Sequence, residues 1–437
     1  METTTTNTAN TTIWAQFKGI DPNAENVEIN KRQTVFYPSK TGINYITVRG
    51  FTLCDAATPW APPTAGQIGL IGPNWSKGWI IENNKISYSV CSGVSLGKYS
   101  DQWDNTSADA AEGYVQTIHR ALDNGWNKAT VGSHIVRNNE ISHCEQTGVV
   151  GSLGCSFSTV TGNSIHDIHI RQLFTGAEMA GIKFHGAIDV EISHNHIYRT
   201  CRGIWMDWMA QGTRVTGNLF NDNIDQDAFF EVDHGPFLVD NNIFLSHQTL
   251  LTASQGGAFV HNLIAGDIGV LGFDGRMTPF LKAHSTELAG MHNNPTGDVR
   301  FYNNLFVRNG EDSSYDNATL PISMKGNVFL KGSRPSTHET DPILKPDFDP
   351  AISLGENAGA FYLEMKFDNS WTTEQTRQLV TTDLLGKASV PNLPFEHADG
   401  TPYRIGTDYF GKKRNETNPT PGPFENPGQG DLKLRVW

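Results

Sequence analysis

Short bursts of alternating polar and apolar residues run along most of this chain, and each burst recurs around an Asn. Examples are Ile81-Glu82-Asn83-Asn84-Lys85-Ile86, Val136-Arg137-Asn138-Asn139-Glu140-Ile141 and Val160-Thr161-Gly162-Asn163-Ser164-Ile165. Further copies centre on Asn195, Asn218, Asn242, Asn262, Asn304 and Asn327. Period-two alternation over so few residues predicts short strands, and the Gly and Asn between them predict tight turns. Successive Asn residues are 55, 24, 32, 23, 24, 20, 42 and 23 positions apart, so the period is 23 to 24. That length fits one coil of a right-handed parallel β-helix. A leucine-rich repeat would need a Leu-x-x-Leu-x-Leu frame, which is absent, and a propeller blade is about twice as long. The expected fold class is therefore all-β, a solenoid whose coils stack like residues into ladders. An Asn at a fixed corner is expected to take a left-handed backbone and bond to the Asn above and below.

The gaps of 55, 32 and 42 read as one or two coils with loop insertions. The first contains apolar residues at helical spacing (Val115, Ile118, Leu122), which predicts a helical insertion at about 107–124. A flexible segment is expected over 1–24, the β-helix over 25–333, and an irregular C-terminal β region over 334–437, packed on the solenoid's end or side.

Composition agrees with this and narrows the function. The 437 residues include 43 Gly and only 18% charged residues, unlike a helical bundle. A net charge of -13 argues against nucleic acid and against anionic polymers such as pectin or alginate. The five cysteines (Cys54, Cys91, Cys144, Cys155, Cys201) show no zinc spacing and read as small buried residues. The opening METTTTNTAN has neither a basic nor an apolar region of a signal peptide, and no apolar run is long enough to span a membrane, so the cytoplasm is the simplest location. No ligand set demands a metal or other cofactor, although a Ca²⁺ on a loop is compatible with the sequence. So is a homo-oligomer.

Candidate chemistry comes from aligning the strands that follow each Asn. Gly181-Ile182-Lys183-Phe184-His185, Gly203-Ile204-Trp205-Met206-Asp207 and Phe229-Phe230-Glu231 fall in register. Alternation turns Ile204 and Met206 inward, and Trp205, Asp207, Lys183 and His185 outward. His185 to Asp207 is 22 residues and Asp207 to Glu231 is 24, each one coil. Stacked coils are about 4.7–4.9 Å apart, so the two carboxyl groups should stand roughly 5 Å apart. A retaining glycosidase uses carboxyl groups about 5–5.5 Å apart, one as nucleophile and one as acid and base. The distance from the ladder Asn is 12 for Asp207 and 13 for Glu231, so a one-residue bulge is required. Two acids in any solenoid have a fair chance of stacking. Here the density of WMDWMAQG and FFEVDHG on adjacent coils favours a site. Trp205, Trp208, Phe229 and Phe230 would wall it, with an aromatic platform for a sugar face. His185, Glu178 and His234 would bond to hydroxyl groups.

At these residues the sequence resembles glycoside hydrolase family 120, the β-xylosidases on a β-helix. The matching stretches are GIWMDWMAQGTRV at 203–215, FFEVDHGPFLVDNN at 229–242, ITVRGF at 46–51, ATPWAPPTA at 57–65 and TDYFGKKRN at 407–415. The resemblance implies that Asp207 is the nucleophile, Glu231 the acid/base and Glu178 a substrate-binding residue. It implies release of xylose from the non-reducing end of xylo-oligosaccharides, with retention. The family is longer at its N-terminus, where an immunoglobulin-like domain interrupts the first coils, and this chain is expected to start after it.

Three rival readings come from the same residues. A β-helix polysaccharide lyase would use Lys183 or Arg214 as base, with Asp222, Asp225 and Asp227 as a calcium loop. A non-enzymatic sugar-binding β-helix would need no turnover. An arabinosidase would use the same acid pair on a related pentose.

Overall fold

The computed structural model describes residues 2–7, 10–104, 106, 110–308 and 312–437. Three parallel sheets wind around one core. The site sheet has seven strands in coil order, Ser92–Ser95, Thr147–Ser152, Ala180–His185, Arg202–Asp207, Gln226–Glu231, Gln248–Thr252 and Asp267–Val270. The second sheet runs over eleven strands from Thr47–Arg49 to Glu339–Thr340, and the third over eleven from Thr52–Ala56 to Ile343–Lys345. The chain is an all-β right-handed parallel β-helix. Its sheets run past residue 333, because Val328–Leu330 still pairs with Ile343–Lys345.

The Asn ladder lies at the corner between the second and third sheets. Each Asn donates from its side-chain amide to the next coil's Asn, at 2.9–3.1 Å from Asn84 through Asn327. Each backbone N–H between Asn84 and Asn304 donates to the same oxygen. Glu339 ends the column, its Oε2 accepting from Asn327 at 2.6 Å. The left-handed backbone belongs instead to the residue before each ladder Asn: Asn83, Asn138, Gly162, His194, Gly217, Asn241, His261, Asn303 and Gly326. The corner divides its two tasks, since the residue that turns the chain cannot also aim its amide along the stack. At Gly162 a Cβ would lie 2.5 Å from the Asn138 side-chain oxygen of the coil below, which explains the loss of a side chain there.

Inward residues stack likewise. Phe220 on Phe244, Phe259 on Phe301 and Phe306 on Phe329 lie 4.7–5.0 Å apart and nearly parallel. Each fully buried Phe contributes about 2–3 kcal/mol of transfer free energy. Four of the five cysteines are buried, and Cys54 is half-buried.

Each oversized Asn gap is a single coil with an insertion. Ile80–Glu82 pairs directly with Ile135–Arg137, Thr159–Thr161 with Glu191–Ser193, and Gly257–Val260 with Val299–Tyr302. The first insertion contains the helix Ala111–Asp123, and its expected start at 107–109 lies outside the described residues. The helix buries Tyr114, Ile118 and Ala121, with Val115 and Leu122 packed at the edge. The second is the loop 167–179. The third is an antiparallel hairpin, Asp274–Leu281 with Leu288–Asn294. Each adjoins a strand of the site sheet: the helix and the hairpin follow Ser92–Ser95 and Asp267–Val270, and the loop precedes Ala180–His185.

The C-terminal region covers the other two faces. Leu363, Met365, Phe367, Trp371 and Val436 pack on Leu219, Ile243, Leu263 and Leu305 of the third sheet. Val380, Leu385, Phe395 and Tyr403 pack on Leu238, Ala258, Val260 and Tyr302 of the second. At the other end, where a flexible segment is expected, Glu2–Asn7 pairs with Asn10–Trp14. No helix among the described residues is long and apolar enough to cross a membrane.

Candidate active site

Ser152, His185, Asp207 and Glu231 stand directly beside one another on four successive strands of the site sheet. Asp207 and Glu231 are each the last residue of a strand, at the edge from which the helix and hairpin insertions leave. Their strands pair without a bulge from Arg202↔Gln226 to Asp207↔Glu231. The extra residue lies in the turn: four positions separate Tyr198 from Arg202, and five separate its partner Asn221 from Gln226. A turn absorbs a residue without flipping the alternation that a strand must keep. Gly203 is the second residue of the Asp207 strand, where a Cβ would lie 2.4 Å from the Asp227 carbonyl oxygen. Immediately after the two carboxylates, Trp208 and Val232 have left-handed backbone (φ 48° and 53°), as does Glu178 (φ 70°). Such strain in a β-branched residue needs a framework that fixes it.

These residues line a cleft of about 320 Å³, at the small end of ligand-site size. Asp207, Glu231, Glu178, His185, Trp205 and Trp208 all reach it, joined by Lys183, Tyr114, Pro63 and Arg276. Asp207 Oδ2 accepts from Lys183 Nζ at 2.5 Å and lies 3.1 Å from His185 Nε2. Its other oxygen, Oδ1, is buried and has no hydrogen-bond partner among the described residues. Burial opposes the charge of Asp207, but Lys183 and His185 outweigh it and hold the carboxyl well below the usual carboxylate range. Glu231 behaves oppositely. Burial and the neighbouring Asp207 charge push its pKa up, against the pull of Lys183 and Arg276. Its Oε1 accepts from Arg276 Nη2 at 2.7 Å and its Oε2 from Trp205 Nε1 at 3.0 Å. Glu178 is fully buried and raised by that burial, with Lys183 and His185 opposing. Gln67 Nε2 donates to its Oε2 at 2.8 Å, while its Oε1 lies 3.4 Å from His185 Nδ1.

Several sequence assignments change. Trp205 is not an open platform: Lys183 Nζ lies 3.4 Å from its ring centroid, and Phe229 of the next coil stacks on it at 5.4 Å. It offers the cleft an edge, and offers Glu231 its N–H. Phe230 faces the core and stacks on Phe237 at 4.7 Å, as alternation requires once Phe229 faces out. His234 does not reach the cleft. Its Nε2 bonds to Thr278 (2.8 Å to Oγ1, 3.1 Å to the carbonyl) and its Nδ1 accepts from Gln255. Burial lowers its pKa to about 4, so it is a neutral anchor for the hairpin. Trp208 is buried edge-on to Tyr114, which also meets the His185 ring at 4.9 Å.

The residues named for a lyase are committed elsewhere. Arg214 pairs with Asp240 at 2.8 Å, and Asp225 with Arg202 at 3.1 Å. Buried Asp227 accepts from Asn223 at 2.8 Å, and Asp222 from Asn221 at 2.8 Å. Lys183 is spent on Asp207.

Tyr114, Glu178 and Arg276 come from the helix, the loop and the hairpin, one from each insertion. The oversized Asn gaps were the signal that could have located Tyr114 and Arg276, because a coil that departs from the period has something to deliver.

Residues 70–265 match a family model described as a right handed beta helix region. A solved structure described as "The complex structure of XylC with xylose" superposes with a TM-score of 0.92 and 40% sequence identity, over 96% of this chain and 71% of that one. No curated protein matches the chain. Together with the stacked carboxylates and the matching stretches around them, this identity over nearly the whole chain places it in glycoside hydrolase family 120, the β-xylosidase-like right-handed β-helix proteins.

Proposed function

We propose that the chain is a retaining β-xylosidase that releases xylose from the non-reducing end of β-1,4-xylo-oligosaccharides. The observation that carries this reading is the contrast between Asp207 and Glu231. One buried carboxylate is held ionised with an oxygen to spare; its neighbour, one strand away, has raised proton affinity. Adjacent strands are about 4.8 Å apart, the range of a retaining pair rather than the wider gap that admits a water. The 40% identical neighbour was solved with xylose, which supports a pentose in the cleft.

In this mechanism Asp207 Oδ1 attacks the anomeric carbon while Glu231 protonates the leaving oxygen, and a glycosyl–Asp207 ester forms. Glu231, now ionised, deprotonates a water that attacks the same carbon and frees Asp207. Lys183 and His185 keep Asp207 charged before attack and take up its charge again after it. Glu178, whose buried Oε1 has no hydrogen-bond partner among the described residues, is the acceptor for sugar hydroxyls.

The test is hydrolysis of an aryl β-xyloside and of xylobiose by wild type, Asp207→Ala and Glu231→Ala. Both variants should lose turnover. Azide should rescue Asp207→Ala to the α-xylosyl azide and Glu231→Ala to the β-azide. Wild-type rates in both variants would overturn the site. An ultraviolet-absorbing unsaturated product would point to a lyase.

A further inference from the structure

Arg276 reaches the cleft from the hairpin that interrupts the coil after Asp267–Val270, and much of the surrounding polar structure serves to fix it. Its Nη2 lies 2.7 Å from Glu231 Oε1 and 2.7 Å from Asp274 Oδ2, and its Nε donates to Asp274 at 3.0 Å. Its own carbonyl accepts from Asn294 Nδ2 at 3.1 Å. Asn294 in turn accepts from Gln255 at 2.9 Å, and Gln255 also donates to His234, which holds Thr278 two residues beyond Arg276. Asn294, Gln255, His234 and Thr278 are all buried, and none lines the cleft. This buried network ends on the backbone beside the cleft-lining Arg276 guanidinium.

Glu231 therefore has a two-point grip, Arg276 on one oxygen and Trp205 on the other. We propose that Arg276 is a positioning residue: it aims the Glu231 carboxyl at the leaving oxygen and stabilises the carboxylate that proton donation leaves, which is the base of the second step. This deepens the xylosidase reading and rests on it for the role of Glu231. The charged groups around Glu231 are Asp207 from the coil below, Lys183 from the coil below that, and Arg276 with Asp274 from the hairpin. Asp207 raises the proton affinity of Glu231, while Lys183 and Arg276 lower it. Of the two cations, only Arg276 touches Glu231. Its removal should let Glu231 hold its proton to higher pH, which assists the first step and starves the second of a base.

The experiment compares wild type, Arg276→Met and Arg276→Lys. The alkaline limb of kcat/KM on xylobiose, which needs the acid, should move up by about one pH unit in Arg276→Met. Arg276→Lys should lie nearer wild type. Carbon-13 NMR of δ-labelled glutamate, with Glu231→Gln to assign the signal, should show the same shift in the Glu231 titration without any turnover. If Arg276→Met lowers kcat/KM equally at every pH and the Glu231 signal titrates where it does in wild type, Arg276 is merely structural and the proposal fails. If wild type is inert on every xyloside, the xylosidase reading fails, and the NMR titration still decides whether Arg276 controls Glu231.

Discussion

Lys183 Nζ and Asp207 Oδ2 meet at 2.5 Å on a diagonal, not straight across the sheet. The register partner of Asp207 is His185, and that of Lys183 is Trp205. Lys183 runs beneath the Trp205 ring to reach the carboxylate of the next coil. Both groups are buried, so the pair acts in a poorly screened environment.

Replacing Lys183 with Met should raise the proton affinity of Asp207, since burial would no longer be opposed by the nearest cation. On the proposed mechanism the acid limb of kcat/KM then moves up by about one to three pH units. Loss of one partner from a buried pair should also lower stability by about 3 kcal/mol near neutral pH. Because the folded pKa of Asp207 is depressed, its ionic stabilisation is present above the unfolded value and is lost as pH falls through the folded one. The Lys183→Met penalty should therefore shrink in strong acid. A pH–rate profile and urea titrations at two pH values check both parts.

Glu231 has the opposite sign. A raised carboxyl pKa means that ionisation disfavours the folded state once pH exceeds the unfolded value. Glu231→Gln should therefore raise Tm at neutral pH, by the equivalent of about 1 kcal/mol, while abolishing turnover on xylobiose. The gain should vanish below about pH 4, where the carboxyl is protonated in both states. A Tm that falls at pH 7 would mean that the grip of Arg276 and Trp205 outweighs the burial and repulsion.

Trp205→Phe keeps a ring between Lys183 and Phe229 and removes the N–H that Glu231 Oε2 accepts. A hydrogen bond to a charged group is worth about 1.5–3 kcal/mol. The variant should lose roughly ten- to a hundredfold in kcat/KM on xylobiose with little change in Tm. Little loss on an activated aryl xyloside would place the defect in proton donation.

In the ladder, Asn218→Ala removes the oxygen that takes both the side-chain and backbone N–H of Asn195, and the amide that bonds to Asn242 and the Ile192 carbonyl. Several buried groups lose partners at once, so the loss should be about 2–4 kcal/mol by chemical denaturation. Glu339→Gln at the end of the column removes a carboxyl whose pKa burial raises to about 7. Ionisation disfavours the fold once pH exceeds the unfolded value, so the stabilisation by Glu339→Gln should grow from about pH 4, be full above about pH 7, and vanish in more acid solution.

The solenoid was legible in the chain because its signal is local and repeated. The Asn period, the alternation about it and the Gly and Asn in its turns set the coil length, the inward residues and the stacking of Asp207 over His185 and under Glu231. Even the odd residue between Asp207 and Glu231 could be counted, although only the fold put it in a turn. What the period could not carry were contacts that leave it. Arg276, Tyr114 and Glu178 arrive on insertions whose lengths obey no repeat. Lys183 reaches Asp207 diagonally, and His234, beside Glu231 in sequence, turns away to hold the hairpin. Periodicity fixes which strand lies on which and which side chains share a face. The ionised state of Asp207 depends on Lys183 and His185 winning against its burial, and the proton affinity of Glu231 on burial and Asp207 set against Lys183 and Arg276, the last brought from 45 residues away; those balances exist only once the tertiary structure closes over the sheet.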